Sequence, residues 1–314
     1  LLPAHAAAFR DDLEVPVGHF HSDPAKAPAQ QVVGRQPADE LRDAVAYAHE
    51  RGKKIYVTVN TLVKQCEMDD LRDVLDLLSD VHVDAVLVQD MGVARIIQQS
   101  YPQLVLHAST QMTINNAQGA LLMKNMGFSR VVPARECSLD ELKKMADVGV
   151  EVEAFAHGAL CVAVSGQCLF SSMIGGRSGN RGRCAQPCRL PYTLEDGTSG
   201  YLLSTKDLML IDHIPELRDA GVYSFKLEGR MKRPEYVGVI TRAYREALDA
   251  AEAHVAYHPS KATIEGLRQV FNRGGFTEGY VMEKSNAALM SWERPNHWGI
   301  SVGKIMSMRG PLAQ

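Results

Sequence analysis

From residue 37 onward, the apolar residues of the chain follow two alternating patterns. Short runs rich in β-branched residues, such as Ala-Val-Leu-Val-Gln-Asp at 85–90, predict buried β-strands. The segments between them carry apolar residues three or four positions apart, as at Leu71, Val74 and Leu78, and predict amphipathic helices. The predicted strands cover 54–60, 85–90, 104–109, 130–135, 152–157, 201–204 and 224–228. The predicted helices cover 39–51, 69–78, 93–99, 115–126, 139–148, 207–220, 235–253 and 264–271.

This order of elements predicts an α/β fold. A strand–helix unit recurs roughly every 20–30 residues, which is typical of parallel strands joined by crossover helices. We predict a (β/α)8 TIM-like barrel, with a doubly wound sheet as the alternative. No Gly-x-Gly-x-x-Gly follows a predicted strand, so the main mark of a dinucleotide-binding sheet is missing.

Both ends of the chain fit the barrel pattern poorly. Residues 1–35 form an irregular segment that is too short for two more strand–helix units, so we predict a divergent or incomplete opening of the barrel. Within it, 13–17 has strand-forming residues, but Pro16 disfavours a strand. We predict a barrel-like catalytic domain at 36–258, with a cysteine insertion at 158–200. The last part, 259–314, is predicted to form a helix and a small, partial β-containing appendage, with a strand-like pattern near 299–305.

The composition narrows the cellular setting. The 314 residues are 46% apolar and carry a net charge of −3, so we expect a substantial core and no global field that attracts nucleic acid. No apolar run reaches the ~18 residues of a membrane span, and the first residues lack a signal-peptide pattern. These features predict a cytoplasmic protein with no membrane partner.

Four of the six cysteines lie within 28 residues of one Gly- and Ser-rich stretch, with the spacing C-x6-C-x15-C-x3-C. They are Cys161, Cys168, Cys184 and Cys188. Four thiolates suit a tetrahedral zinc or an iron–sulfur cluster, and the spacing does not choose between them. Two disulfides or four unrelated thiols are alternatives, but the chain is neither short nor cysteine-dense. We interpret Cys66 and Cys137, outside this stretch, as ordinary buried thiols.

Polar residues follow the predicted strands at the end where a barrel enzyme places its active site. Strand alternation puts Lys226, Glu228 and Arg230 on one face, and puts Glu153 and His157 together on the face of another strand. We predict all five as catalytic residues, although polar loops alone would give a similar pattern and His157 has a structural histidine as its alternative. The other strand-end candidates are Asn60, Gln89, Asp90, Ser109, Thr110, Gln111, Arg135 and Glu136.

The cysteine-rich stretch is locally basic. Residues 171–194 include no acidic residue. Its predicted RNA-binding residues are Arg177, Arg181, Arg183 and Arg189. A second basic group follows at Arg230, Lys232 and Arg233. Such a patch binds phosphates despite an acidic total charge. A solvated basic loop, or arginines that screen a negatively charged cluster, would give the same sequence.

Several segments resemble peptidase family U32, the collagenase-like family. They are Glu-x-Phe-x-His-Gly-Ala-Leu-Cys-x6-Cys at 153–168, Asn-Arg-Gly-x-Cys-Ala-Gln-Pro-Cys-Arg at 180–189, and the segments 201–208, 224–236 and 271–280. The resemblance covers roughly 36–300 and implies a barrel. It implies either a peptidase or an oxygen-independent hydroxylation enzyme that acts on a tRNA wobble uridine, an rRNA cytidine or a quinone precursor. It also implies an iron–sulfur cluster on the four clustered cysteines and prephenate as oxygen donor. The opening Pro-Ala-Gly strand of the family is not found in the first 35 residues.

The leading hypothesis is a 4Fe-4S enzyme that hydroxylates a base in RNA, with 5-hydroxyuridine formation at the tRNA wobble position as the first candidate. A collagenase-like protease with a structural metal is the second hypothesis. It lacks sequence support, because neither Gly-x-Ser-x-Gly nor His-Glu-x-x-His is present and a four-cysteine zinc would be closed to substrate. A metal-stabilised RNA-binding protein that assists another modification enzyme is the third.

Overall fold

The computed structural model describes residues 13–14, 37–229, 232–282, 287–303, 308–309 and 312–313. The strands are β1 (Leu13–Glu14), β2 (Tyr56–Val59), β3 (Ala85–Val88), β4 (Leu106–Ala108), β5 (Arg130–Val131), β6 (Glu151–Ala159), β7 (Tyr192–Thr193), β8 (Ser199–Gly200), β9 (Asp207–Met209), β10 (Val222–Leu227), β11 (Phe276–Thr277), β12 (Met308–Arg309) and β13 (Leu312–Ala313). The α-helices are α1 (Pro37–His49), α2 (Met68–Asp80), α3 (Met91–Ser100), α4 (Ala117–Asn125), α5 (Leu139–Ala146), α6 (Phe170–Gly175), α7 (Ile214–Asp219), α8 (Pro234–Glu252), α9 (Lys261–Val270) and α10 (Gly279–Met282).

A parallel sheet forms the centre of the fold. Its strands lie side by side in the order β1, β10, β6, β5, β4, β3, β2. Val86 of β3 pairs with Val57 on one side and Leu106 on the other, and every residue of β3 is buried. Burial on both faces explains why these strands appear in the sequence as continuous apolar runs. The predicted α/β class with parallel strands and intervening helices is confirmed.

The two outer strands of this series, β1 and β2, do not pair with each other within the described ranges. Closure into an eight-stranded barrel therefore stays a prediction. The segment 13–17, in which Pro16 argued against a strand, contributes β1, where Leu13 pairs in parallel with Phe225. The described strand residues, Leu13 and Glu14, precede the proline, so the pairing of these two residues does not involve the N–H that proline lacks.

The helices cover the sheet with buried apolar side chains. Leu75 of α2, Ile97 of α3 and Met145 of α5 are fully buried in the core. Helix α5 begins after the N-cap residue Ser138, because the hydroxyl of Ser138 accepts from the N–H of Glu141, and the Glu141 carboxylate accepts from the Ser138 N–H at 2.7 Å. This capping box satisfies backbone N–H groups at the N-terminus of α5 and so stabilises the first turn of the helix.

Two predicted elements in the second half of the chain are wrong. The segment 201–204 is a turn rather than a strand, and the helix predicted at 207–220 begins only at Ile214. The strand is β9 instead, which runs antiparallel to the end of β6 and pairs Leu208 with Gly158. Because β6 extends beyond its neighbour β5, its last backbone groups are available to this extra strand.

The C-terminal part packs on the same core. Helix α9 contacts α8 and buries Leu267 completely, and β11 pairs with β9. Of the strand-like pattern at 299–305, residues 299–303 form no strand and 304–305 lie outside the described residues. Strands β12 and β13 form an antiparallel pair, which is a small β element in the predicted appendage. In the parts of the chain that the structure describes, no helix combines the length and the apolar character needed to span a bilayer.

Candidate functional site

The insertion after β6 brings its four cysteines to one cavity of about 600 Å³. Cys161 follows β6, Cys168 precedes α6, and Cys184 and Cys188 lie in the loop beyond α6. All six cysteines of the chain are free thiols, so the disulfide alternative is not realised. The interpretation of the other two as buried thiols holds for Cys137 but is wrong for Cys66, which is exposed.

Backbone N–H groups and charges surround the clustered sulfurs. The N–H of Gln186 lies 3.3 Å from the Sγ of Cys184 and donates to it. Burial raises the pKa of the Cys161 thiol, and a hydrogen bond from the backbone of Ala163 opposes that rise. Burial also raises the pKa of Cys188. N–H donors of this kind are typical neighbours of metal-bound thiolates.

The donor chemistry of the site fits a thiolate-bound metal centre. Four free thiols line one space, and two of them accept backbone hydrogen bonds. Among the described residues, no three His, Cys, Asp or Glu side chains are grouped so that they could hold a metal ion. The thiols thus form walls of a shared cavity, and do not enclose an ion as they stand.

A second wall of the same cavity consists of strand-end residues. The predicted residues that line it are Asn60, Ser109, Thr110, Gln111, Arg135, Lys226 and Glu228. Asn60 donates from Nδ2 to the hydroxyl of Ser109 at 3.2 Å, which joins the ends of β2 and β4. The fold therefore places polar strand-end groups and thiols around the same space.

The cavity wall is rich in positive charge. Its cationic residues are Lys54, Arg135, Arg189, Lys226 and Arg273. Glu228 is the one carboxylate among the described residues that line it. Such a wall attracts an anionic ligand or balances a negatively charged metal centre.

Arg135 lies between the two walls. Its Nη2 donates to Oε2 of Glu228 at 2.9 Å, and its guanidinium carbon lies 3.9 Å from the ring centroid of Phe155. Its charge also lowers the pKa of the Cys161 thiol, against the larger effect of burial. The Nε of Arg135 is buried and has no hydrogen-bond partner in the described part of the chain. Arg135 is thus oriented by an ion pair and an aromatic ring while one donor remains unused.

Glu153 stabilises Lys226 of this wall through an ion pair. It is completely buried and accepts from Nζ of Lys226 at 2.9 Å and from Nη1 of Arg130 at 3.3 Å. Arg130 also donates to Glu151 at 3.0 Å. The two cations compensate the buried carboxylate, which would otherwise be costly to ionise. Glu153 is not among the residues that line the cavity, so it positions Lys226 there.

His157 lies on the other side of β6. The pairing shifts register between Lys226, which pairs with Phe155, and Leu227, which pairs with His157. The extra residue on β6 reverses the alternation. The prediction that His157 shares a face with Glu153 is therefore wrong. Nδ1 of His157 lies 3.3 Å from the hydroxyl of Tyr244 of α8, and burial lowers the pKa of His157 to about 3. These contacts correspond to the structural alternative for His157.

Other strand-end candidates hold loops in place. Asp90 caps α3 by accepting from the N–H of Gly92 at 2.7 Å. Glu136 accepts from the N–H of Ser165 at 3.1 Å, which ties the insertion to the end of β5. Gln89 donates to the carbonyl oxygen of Gln111 at 3.3 Å. Arg230 lies outside the described residues, and its predicted role stays a prediction.

Two of the four predicted RNA-binding arginines are engaged within the protein. Arg189 donates from Nη1 to Ser204 at 2.8 Å and from Nη2 to the carbonyl oxygen of Leu160 at 3.1 Å. Arg181 donates to the carbonyl oxygen of Leu62 at 2.7 Å and pairs with the carboxylate of Glu67. Both arginines therefore anchor the insertion to the sheet domain. The positive charge of Arg189 also lowers the pKa of Cys188, in line with the screening alternative.

The other two arginines are exposed. Arg177 donates from Nε to the backbone oxygen of Arg183 at 3.1 Å, so the two residues lie together on the outer surface of the insertion. In the second basic group, Lys232 packs its ammonium against the ring of Phe271. The exposed positive patch of the insertion is thus smaller than the sequence indicated.

Two cationic residues of the cavity, Lys54 and Arg273, were not among the residues predicted from the sequence. Arg273 lines the cavity, is ion-paired with Asp207 and donates to the carbonyl oxygen of Pro295 at 3.1 Å. It lies in the segment 271–280, whose resemblance to the family was the available signal. Lys54 lies before the first residue of β2, whereas the residues predicted from the sequence lie at the carboxyl ends of strands.

Several known proteins are similar in sequence to this chain. The family model described as Peptidase family U32 matches residues 34–291. A 23S rRNA 5-hydroxycytidine synthase of Escherichia coli is 37% identical over 283 residues, which cover 86% of this chain and 43% of that protein. The tRNA hydroxylation protein P1 of Bacillus subtilis is 36% identical and covers 74% of this chain and 59% of its own length. A protein named collagenase from Porphyromonas gingivalis is 36% identical, with 78% and 63% covered. The chain therefore spans between 43% and 63% of the length of these relatives.

Proposed function

The chain belongs to peptidase family U32, and on that premise we propose that it is an enzyme that hydroxylates a base in RNA, with the wobble uridine of tRNA as the first candidate. Two relatives that are more than a third identical carry RNA hydroxylation in their names, one acting on 23S rRNA and one on tRNA. This chain spans only part of their length, so we infer its activity and substrate from the residues of the cavity.

The observation that carries the proposal is the composition of one cavity. Thiols from the insertion form one wall, and cationic strand-end residues form the other. Its volume of about 600 Å³ lies in the range of small-molecule sites. A redox group and an anionic reactant would thus be held next to each other, with a substrate base entering from outside.

The four clustered cysteines would hold the metal centre in this proposal. Cys161, Cys168, Cys184 and Cys188 provide the thiolate ligands that an iron–sulfur cluster requires. When bound, such a cluster supplies electron transfer, which zinc does not. Gln186 then stabilises the thiolate of Cys184 by its N–H, and Arg189 balances negative charge beside Cys188.

Arg135 and Lys226 would bind the oxygen donor, for which prephenate, a dicarboxylate, is the candidate. Arginine pairs with carboxylates through two parallel hydrogen bonds, and Arg135 lines the cavity. Glu153 fixes the ammonium of Lys226, and Glu228 fixes the guanidinium of Arg135. Glu228 is also placed to accept a proton at its carboxylate, since it is the one described acidic residue of the wall.

The amide side chains of the cavity would read the base. Asn60 and Gln111 line the wall formed by β2 and the loop after β4. Amide groups present a donor and an acceptor together, which suits the edge of a pyrimidine. A base inside a stem or a stacked loop must leave the stack to reach such a cavity.

The test is mass spectrometry of nucleosides from RNA of a strain that lacks the gene. We expect a hydroxylated pyrimidine to disappear from tRNA and to return with the wild-type gene. The gene with Lys226→Met should not restore it. Unchanged nucleosides in both tRNA and rRNA would overturn the proposal.

The relative named collagenase keeps a protease as the second candidate. Among the described residues that line the cavity there is no histidine, so no serine or cysteine there is paired with the usual general base. We therefore expect the pure protein to leave gelatin and denatured collagen intact. Cleavage that a single cavity substitution abolishes, with folding unchanged, would reverse this ranking.

A further inference from the structure

A short apolar surface on the insertion has no partner in the described structure. Met173, Ile174 and Leu169 are 83%, 63% and 59% exposed, and together they form what we call the α6 apolar face. Large apolar side chains this exposed, and clustered on one helical turn, are typical of binding surfaces. Exposure therefore marks this face as a surface for contact with another molecule.

The α6 apolar face continues the wall of the cavity. Phe170 lines the cavity, and Met173 and Ile174 follow it three and four positions later, so all three lie on the same side of α6. The opposite side of the helix is fixed, because Ser171 is buried and its hydroxyl accepts from the N–H of Ala185 at 2.9 Å. The exposed side chains thus stand on a supported helix at the edge of the cavity.

Positive charge lies beside this face. Arg177 and Arg183 are both exposed, and Arg177, which follows α6 by two residues, donates to the backbone oxygen of Arg183. Residues 171–194 include no acidic residue, and the carboxylate of Glu67 is paired with Arg181. The charge complements a phosphate backbone.

We propose that the α6 apolar face inserts into a single-stranded loop of RNA beside the target base, while Arg177 and Arg183 bind the flanking phosphates. The inference rests on the proposed function and adds the device that brings the base out of its stack. Exposed methionine and isoleucine act as wedges between bases in other nucleic-acid complexes, and the unstacked base then enters the adjacent cavity.

The test uses a synthetic RNA stem-loop with a fluorescent adenine analogue next to the loop pyrimidine, mixed with the full chain. We expect wild-type protein to raise the fluorescence, because the analogue loses its stacking partner. In the double variant Met173→Ser with Ile174→Ser, the rise should disappear and the affinity should fall roughly ten-fold, about 1.4 kcal/mol. The exposed Leu122→Ser on α4 is the matched control and should behave as wild type.

The outcomes separate the two proposals. Wild-type protein that does not bind the stem-loop contradicts RNA as the substrate, and the wedge fails with it. Wild-type binding that the double variant keeps in full, with the same fluorescence rise, overturns the wedge alone. If the double variant keeps its RNA response but changes the molar mass measured by light scattering, the face joins two copies of the chain and the wedge is again wrong. Melting temperature and thiol titration of both variants check that the fold is intact.

Discussion

Arg135 donates a 2.9 Å hydrogen bond to Glu228, which joins the loop after β5 to the end of β10 across the cavity. The close approach depends on Gly158 of β6, where a Cβ atom would lie 2.5 Å from the carbonyl oxygen of Glu228. The pair therefore fixes the orientation of a cation next to Cys161 through contacts among three strands. A conservative substitution of Arg135 therefore tests whether this cation binds the oxygen donor.

Arg135→Lys should keep the positive charge and lose the planar fork. We expect a rise of roughly ten-fold in the KM for the oxygen donor, because one carboxylate hydrogen bond is lost, about 1.4 kcal/mol. The melting temperature should change little. Steady-state kinetics with varied donor concentration measure this, with the exposed Arg42→Lys on α1 as control. An unchanged KM would remove Arg135 from the donor site.

Lys226→Met should reduce both activity and stability. The substitution removes a charge-assisted hydrogen bond to buried Glu153, and such bonds contribute about 1.5–3 kcal/mol. Arg130 remains to compensate the carboxylate, so the chain should still fold. Denaturant unfolding measures the loss, and activity is compared at a temperature where the variant is folded. Normal activity of the folded variant would show that Lys226 is structural only.

The clustered cysteines should bind iron. Protein purified without oxygen should absorb broadly near ~400 nm, as thiolate-bound iron–sulfur centres do. Cys188→Ser should lose this absorption and most of the iron. Cys66→Ser, an exposed thiol that does not line the cavity, is the matched control and should retain both. Colourless wild-type protein with one tightly bound zinc would instead indicate a structural site.

The exposed arginines should set the salt dependence of RNA binding. Replacing Arg177 and Arg183 with Ala should weaken tRNA binding and reduce the slope of log affinity against log salt by roughly 0.7 per lost phosphate contact. The exposed residues Arg42 and Arg242, replaced together by Ala, provide a control with the same change in net charge. Equal slopes for wild type and the first variant would exclude this patch as an RNA contact.

Stability should fall as the pH drops below about 6.5. Burial lowers the pKa of His157 from its ordinary value of 6.5 to about 3, and that of His107 also to about 3. Between these values the unfolded chain binds a proton that the native chain does not, so the free energy of unfolding decreases toward acid by about 1.4 kcal/mol per pH unit for each histidine. Urea unfolding of His157→Phe between pH 6 and 4 should show a slope smaller by that amount. His258→Phe at an exposed position is the control, and identical slopes for the His157 variant and wild type would contradict the assignment.

The sequence by itself determined where the parallel strands and most of the helices lie along the chain. Periods of two and of about four residues are local properties, and the apolar-rich runs at 85–90 and 104–109 require no knowledge of distant partners. The grouping of the thiols was equally accessible, because four cysteines within one short stretch cannot move far apart. The same locality explains the error at 207–220, where a three-residue strand forms only because the end of β6 is present to pair with it.

Tertiary structure decided which side chains meet at the cavity. The register shift on β6 turns His157 away from Glu153, and alternation along a single strand does not reveal such a shift. Arg181 finds its acidic partner in Glu67, 114 positions earlier in the chain, so the acid-free stretch is not free of acidic contacts. Arg273 reaches the cavity from the loop between α9 and β11. These relationships depend on the packing of segments that are distant in sequence, and no local pattern carries that information.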